Sequence, residues 1–195
     1  MPKVIIDPAK GLFQESGSGD VAFGVASTSV PGAGLLSTEV APSVRVSQIN
    51  DEVVTTIKLD LTGLDHSNAL GDIVGLGAGG AATLLQYKVA THGILTRAEI
   101  HCIELPTASS NPLLDFDIIS DDAGTLVEDQ APSTNNVTVL ESAADVAKGK
   151  VIEDTTLGVP TEEQYLYLCV GAAPGGAATH TAGKLVIKLF GHKSF

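Results

Sequence analysis

Apolar and polar residues alternate most regularly near the C-terminal end of the chain. From Tyr165 to Val170, Leu166, Leu168 and Val170 point one way and Tyr165, Tyr167 and Cys169 the other. From Lys184 to Phe190, Leu185, Ile187 and Leu189 oppose Lys184, Val186, Lys188 and Phe190. This period of two is the signature of strands with one fully apolar face. The connection between the two runs is built almost wholly of Gly, Ala, Pro and Thr. It is long enough for a hairpin or for a crossover between two sheets.

The same period recurs upstream. Val53, Thr55, Ile57, Leu59 and Leu61 alternate with Val54, Thr56, Lys58, Asp60 and Thr62, until TGLDHSN breaks the strand. A short strand over Asp72 to Leu76 leads into the loop GAGGAAT. Leu84 to Leu105 is strand-like at both ends, with a turn at Thr91-His92-Gly93. In its second half Ile94, Thr96, Ala98, Ile100 and Cys102 share a face, opposed by Arg97, Glu99 and His101. After PTASSNP, Leu114, Phe116 and Ile118 alternate with Asp115 and Asp117 up to Ser120-Asp121-Asp122. Asn136 to Leu140 and Lys150 to Asp154 predict two further strands. Between them, Glu141 to Lys148 predicts a helical turn closed by Gly149. About eight to ten short strands with turn signals between them and almost no helix predict an all-β fold. The expected form is an antiparallel β-sandwich, jelly-roll-like, over 46–195.

Residues 1–45 follow neither period for long. Val4 to Ile6 predicts a short strand ended by Asp7-Pro8. The rest (SGSGD, STSVPGAG, EVAPSV) mixes small residues with scattered apolar ones, among them Leu12, Phe13, Val21, Phe23 and Leu35. A solvated linker is more polar than this. The expectation is an extended N-terminal arm that lays its apolar residues on another surface.

Composition narrows the function classes. A chain of 195 residues is one domain, here with an appended arm. It carries 11 basic and 23 acidic residues, for a formal net charge of −12. No linear basic stripe interleaves with aromatics, so neither a phosphate backbone nor an anionic membrane is an expected partner. No apolar run reaches the length of a membrane span, and the N-terminus has no signal-peptide pattern. Abundant glycine (21 residues), few aromatics and no Trp suit stacked sheets better than an aromatic-anchored pocket. Cys102 and Cys169 each sit inside a strand pattern and read as reduced, buried thiols made in a reducing cytoplasm, with a disulfide as the alternative.

Candidate chemistry is sparse. Asp115, Asp117, Asp121 and Asp122 form the densest acidic group and permit a calcium site, but the EF-hand order of ligands is absent. Carboxylates facing solvent on an outer sheet are the expected account. His66, His92 and His180 fall in predicted turns and are expected to be exposed; His101 shares the polar face of its strand with Glu99 and Arg97. No two histidines have a zinc-ligand spacing, and no nucleophile elbow is present, so no catalytic, metal or cofactor-binding residues are assigned. The glycine clusters GLGAGGAAT and GAAPGGAAT lack the spacing of phosphate loops and read as β-connections.

One resemblance adds to this. The order EVVTTIKLDLTGL, a Gly/Ala-rich loop, ILTRAEIHCIELP, LLDFDI, YLYLCVGA and TAGKLVIKLFG resembles virion structural proteins of marine tailed bacteriophages. The shared features are strand and turn residues between about Glu52 and Gly191, and the arm lies outside them. The resemblance implies a β-sandwich module on a phage particle, most often a head-decoration (cement) protein, with no catalytic residues to carry over. The expected partners are then the major capsid protein and the chain itself, as a homotrimer, on the outer capsid surface of the virion. The alternative is a spike, fibre or tail component that binds host glycans, against which stands the scarcity of aromatics for stacking on sugar rings, with only Tyr87, Tyr165 and Tyr167 as tyrosines. A β-sandwich enzyme is a third, weaker expectation.

Overall fold

In a computed structural model of the chain, which describes residues 3–7, 11–16, 43–77, 80–142, 144–154 and 157–193, the alternating runs pair into antiparallel sheets. β1 (Lys3–Asp7) and β2 (Gly11–Ser16) form a hairpin of their own. β1 lies where Val4 to Ile6 predicts a strand, whereas β2 has no counterpart among the predicted elements. The other arm residues, 17–42, lie outside the described residues.

The remaining strands make two facing layers. Sheet one has the order β10 (Val151–Asp154), β7 (Ile94–Ala108), β12 (Ala178–His192), β4 (Glu52–Asp60), β3 (Ser43–Ile49), with the two-residue β5 (Asp65–His66) pairing the start of β12. Sheet two has the order β6 (Thr83–Gln86), β11 (Tyr165–Val170), β8 (Phe116–Asp121), β9 (Val137–Leu140). The pairing is nested: β4 with β12, β6 with β11, β7 with β10, and β8 with β9. The glycine-rich connection before β12 is therefore a crossover between sheets. The fold is an all-β sandwich.

Burial follows from the alternation. Ile57, Leu59, Ala98, Ile100, Leu185, Ile187 and Leu189 from sheet one meet Phe116, Ile118, Leu166, Leu168 and Val170 from sheet two in one core. Each such aliphatic side chain contributes roughly 1.5–3 kcal/mol by leaving water. Sheet two is apolar on its other face too, where Tyr167 and Cys169 pack with Ile73, Ala82 and Leu126. The backbone of 71–74 clamps that face: Gly71 N–H bonds the Val170 carbonyl at 2.8 Å and Val74 N–H the Leu168 carbonyl at 2.9 Å. This segment is the predicted strand over Asp72 to Leu76, realised as two isolated bridges. Among the described residues only sheet one is left with an open outer face.

Three local expectations give way. Glu141 to Lys148 forms no helix among its described residues. Its amides are taken elsewhere: Glu141 N–H bonds Asp154 (2.7 Å), Ser142 N–H bonds Asp117 (2.8 Å), and Val146 N–H bonds the Leu114 carbonyl (2.7 Å). A single helical turn, once started, gains one bond for several fixed dihedrals, so competing acceptors of this quality win. The one helical turn among the described residues, α1 (Val89–His92), falls instead at the predicted break and is closed by Gly93 at φ 71°. In β7 the face assignment reverses at its start. Phe190 pairs Arg97 and Gly191 pairs Leu95, so Thr96 is an extra residue in a bulge. Leu95 is consequently buried, and Ile94 and Thr96 are exposed.

Candidate functional site

The four aspartates do not form a solvent-facing group. Asp117 and Asp121 are buried, and Asp115 is half-buried. Asp121 accepts three backbone N–H groups, from Ala123, Ser133 and Thr134, all at 2.7–2.8 Å. Its neighbour Asp122 accepts from the side-chain amides of Gln164 (2.9 Å) and Asn135 (2.6 Å). Buried Gln164 finishes this network: its Oε1 accepts from Ser120 Oγ and Thr161 N–H, and its Nε2 also donates to the Asn135 carbonyl. The Asp121 and Asp122 carboxylates are thus engaged by donors that a cation would have to displace, whereas Asp115 Oδ1 is buried without a hydrogen-bond partner. Asp121 and Asp122 pin the loop between β8 and β9. Among the described residues no three His, Cys, Asp or Glu side chains converge as a metal site.

Asp117 is the exception in its protonation. Burial, with Asp115, Glu141 and Asp154 close by, pushes its carboxyl up to about 6 despite the bond from Ser142 N–H. Burial likewise raises Asp115.

The three histidines expected in exposed turns are instead each 1% exposed. Strand pairing between β5 and β12 carries His66 and His180 inward, and the helical turn α1 carries His92. His66 on β5 and His180 on β12 stack at 5.0 Å between ring centroids, with Phe116 6.2 Å from His180. Both ring nitrogens of His180 and Nε2 of His66 have no hydrogen-bond partner. His92 Nδ1 lies 2.8 Å from Thr55 Oγ1, and its ring stacks on Tyr87 at 6.0 Å. Burial lowers both His92 and His180 to about 4, and for His180 the charge of His66 lowers it further. These rings are neutral packing groups at pH 7. The thiols are free and buried, Cys102 in the main core and Cys169 in the satellite core behind sheet two, so no disulfide joins them.

The outer face of sheet one carries the charges that remain available. The register places them in rows across the strands. One row reads Glu153, Glu99, Lys188, Thr56, Arg45; the next reads Val151, His101, Val186, Lys58, Ser43; a third runs Arg97, Phe190, Val54, Ser47. On the β10–β7 side the charges satisfy one another. Glu99 lies 2.8 Å from His101 and 3.3 Å from Arg97, which also reaches Glu153 and covers the Phe190 ring at 3.9 Å. Lys184 is held by Glu104 at 2.5 Å, with Asp60 at 3.9 Å. On the β3–β4–β12 side Arg45, Lys58 and Lys188 make no ion pair among the described residues. Two open hollows of about 450 and 540 Å³ meet here and share Ser43 and Lys58; Ile103 and Val186 add apolar surface to the first, Arg45 and Thr56 polar surface to the second.

No single stretch of sequence betrays this band, because its cations come from three strands far apart in the chain. The strand periodicity was the one usable signal: Lys58 and Lys188 both sit at outward-facing positions. No helix among the described residues is long and apolar enough to cross a membrane. No family model, curated protein or solved structure matches the chain.

Proposed function

We propose that the chain is a structural protein of a tailed-phage particle, a cement subunit on the outer head surface that bridges major capsid subunits. The observation that carries this reading is the nested strand pairing. First strand with last, second with second-last, is how one long hairpin rolls into two Greek keys, and this supports a jelly-roll reading of the sandwich. Jelly rolls recur in viral capsid and lectin domains, so the topology and the resemblance of the strand motifs point the same way. Residues 1–45 serve in this reading as a tether over neighbouring subunits, and the copies gather as a homotrimer on a symmetry axis. Many modest contacts repeated over a shell then add up by multivalency. The work is adhesion, with no reaction and no cofactor, by a protein made in the host cytoplasm.

The interior fits that role. Asp117, Asp121, His66, His92 and His180 are buried as loop anchors and packing groups. The glycan-binding alternative loses ground on the tyrosines. Tyr87 and Tyr167 are fully buried and donate their hydroxyls to the carbonyls of Gly93 (2.8 Å) and Ala123 (2.5 Å), which leaves Tyr165 alone as a stacking surface.

The test is co-sedimentation of the full-length protein with purified heads of the phage that encodes it, with proteomic quantification of intact virions alongside. Stoichiometric recovery with the heads is expected. Recovery only in the soluble fraction, together with absence from virions, overturns the proposal.

A further inference from the structure

We infer that the β3–β4–β12 half of sheet one's outer face is the docking surface, and that its occupant is an acidic polypeptide. The inference rests on the proposed function only in naming the head shell as the source of that polypeptide.

Charge carries it. In a chain of net charge −12, acidic residues outnumber basic ones two to one, so an unpaired cation has many potential partners. Arg45, Lys58 and Lys188 nevertheless have none, and the register makes Lys58 the diagonal neighbour of both others. Arg45 pairs Thr56, one position from Lys58 on the same face, and Thr56 pairs Lys188. Like charges crowded on neighbouring strands destabilise a sheet. Glu99, directly across from Lys188, is already hydrogen-bonded or ion-paired to His101 and Arg97. The arrangement is self-repelling alone and is relieved by carboxylates from outside.

The surroundings suit a polypeptide. Ser43, Ser47 and Thr56 offer hydroxyls between the cations, and Val54, Val186 and exposed Ile103 supply apolar area for a partner's side chains. The adjoining hollows give an extended segment room to lie across the strands. Nucleic acid is the poorer occupant, because three cations must then hold a phosphate backbone against the field of an acidic body.

The experiment measures fluorescence anisotropy of labelled poly-L-glutamate with the full-length protein at low salt. The double variant Lys58→Glu/Lys188→Glu is compared with Lys88→Glu/Lys148→Glu, which changes net charge equally on other surfaces. The face variant is expected to raise Kd at least about tenfold and the control less than about threefold. Lys188→Glu sets a second carboxylate directly across from Glu99, so the face variant's melting temperature is expected to fall. Lys58→Gln/Lys188→Gln therefore reads the same contact without reversing charge. Three results overturn the inference: no binding by the wild-type chain, equal loss in both variants, or tighter binding of a DNA duplex than of poly-L-glutamate. Head co-sedimentation separates the two proposals. Heads that bind wild type and face variant alike sink the docking face and leave the function; binding of poly-L-glutamate without binding of heads does the reverse.

Discussion

Lowering the pH from 8 to 5 should destabilise this protein chiefly through two buried imidazoles. His92 and His180 are held to about 4 by burial, against about 6.5 for an unfolded histidine. The unfolded chain therefore binds their protons first, so their contribution to stability is complete above pH 6.5 and falls as pH drops toward 4. Each ring costs at most about 2 kcal/mol at pH 5 by proton linkage. Asp117 works in the opposite sense. Its folded value of about 6 exceeds that of an unfolded aspartate, so it gains stability as pH falls through 6, about 1.4 kcal/mol by pH 5. The net loss between pH 8 and 5 is thus about 2.6 kcal/mol. Replacing His180 with Leu, of similar volume, removes one of the two titrations and should shrink that loss to less than about 1 kcal/mol. It also removes two ring nitrogens that have no partner, which should raise stability at pH 8 by about 1–3 kcal/mol. The assay is urea unfolding followed by far-UV circular dichroism at both pH values, since the chain has no Trp to report. A His180→Leu protein with the wild-type difference between pH 8 and pH 5 would refute the reasoning.

Other consequences follow from single residues. Asp121→Ala removes the acceptor of three backbone N–H groups and should cost about 3 kcal/mol in chemical denaturation; calcium or a chelator should leave the wild-type melting temperature unchanged, and a shift of several degrees would reinstate the metal reading. Gly93→Ala forces a side chain onto a left-handed residue whose Cβ would stand 2.8–2.9 Å from the His192 backbone. It should lower stability by more than about 1 kcal/mol in the same assay. Burial raises both thiols, Cys169 the more strongly. Neither should react with a thiol-specific disulfide reagent until denaturant is added, and rapid labelling of the native protein would contradict their burial.

The strands were legible because a sandwich obeys a local rule. Alternation in Val53–Leu61, Tyr165–Val170 and Lys184–Phe190 reports a face turned to a core, and it places Leu59, Leu168 and Ile187 inside without knowledge of pairing. What failed was everything decided by distant parts of the chain. His66 and His180 fall where the sequence shows turn residues, yet Asp65–His66 pairs with Ala178–Thr179 at the start of β12 and both rings are buried there. Asp117 alternates with apolar neighbours as an outward residue should, but sheet two is covered on both faces. That cover comes from the segment around Ile73, whose weak pattern gives no hint of its position. Glu141 to Lys148 has helix-forming composition, and aspartates far along the chain took its amides. The bulge at Thr96 shifts a face by one residue, which periodicity alone cannot register.

The cationic band also constrains how a partner arrives. At separations beyond the roughly 10 Å over which salt leaves charges visible, an acidic partner meets the field of the whole body, which repels it. Only at contact does the local field of Arg45, Lys58 and Lys188 exceed that of the acidic surface. Long-range repulsion combined with short-range attraction penalises every approach except the one that brings carboxylates over these three side chains. Wrong orientations are discouraged by the net charge and the right one is held by the patch, which is specificity obtained by disfavouring alternatives. A uniformly neutral face would adhere in many orientations, and a uniformly basic one would gather nucleic acid. Under the proposed reading, in which the subunit seats itself once per symmetry-related position on a shell, an acidic body with one basic face free of ion pairs among the described residues is the charge distribution that selects a single pose.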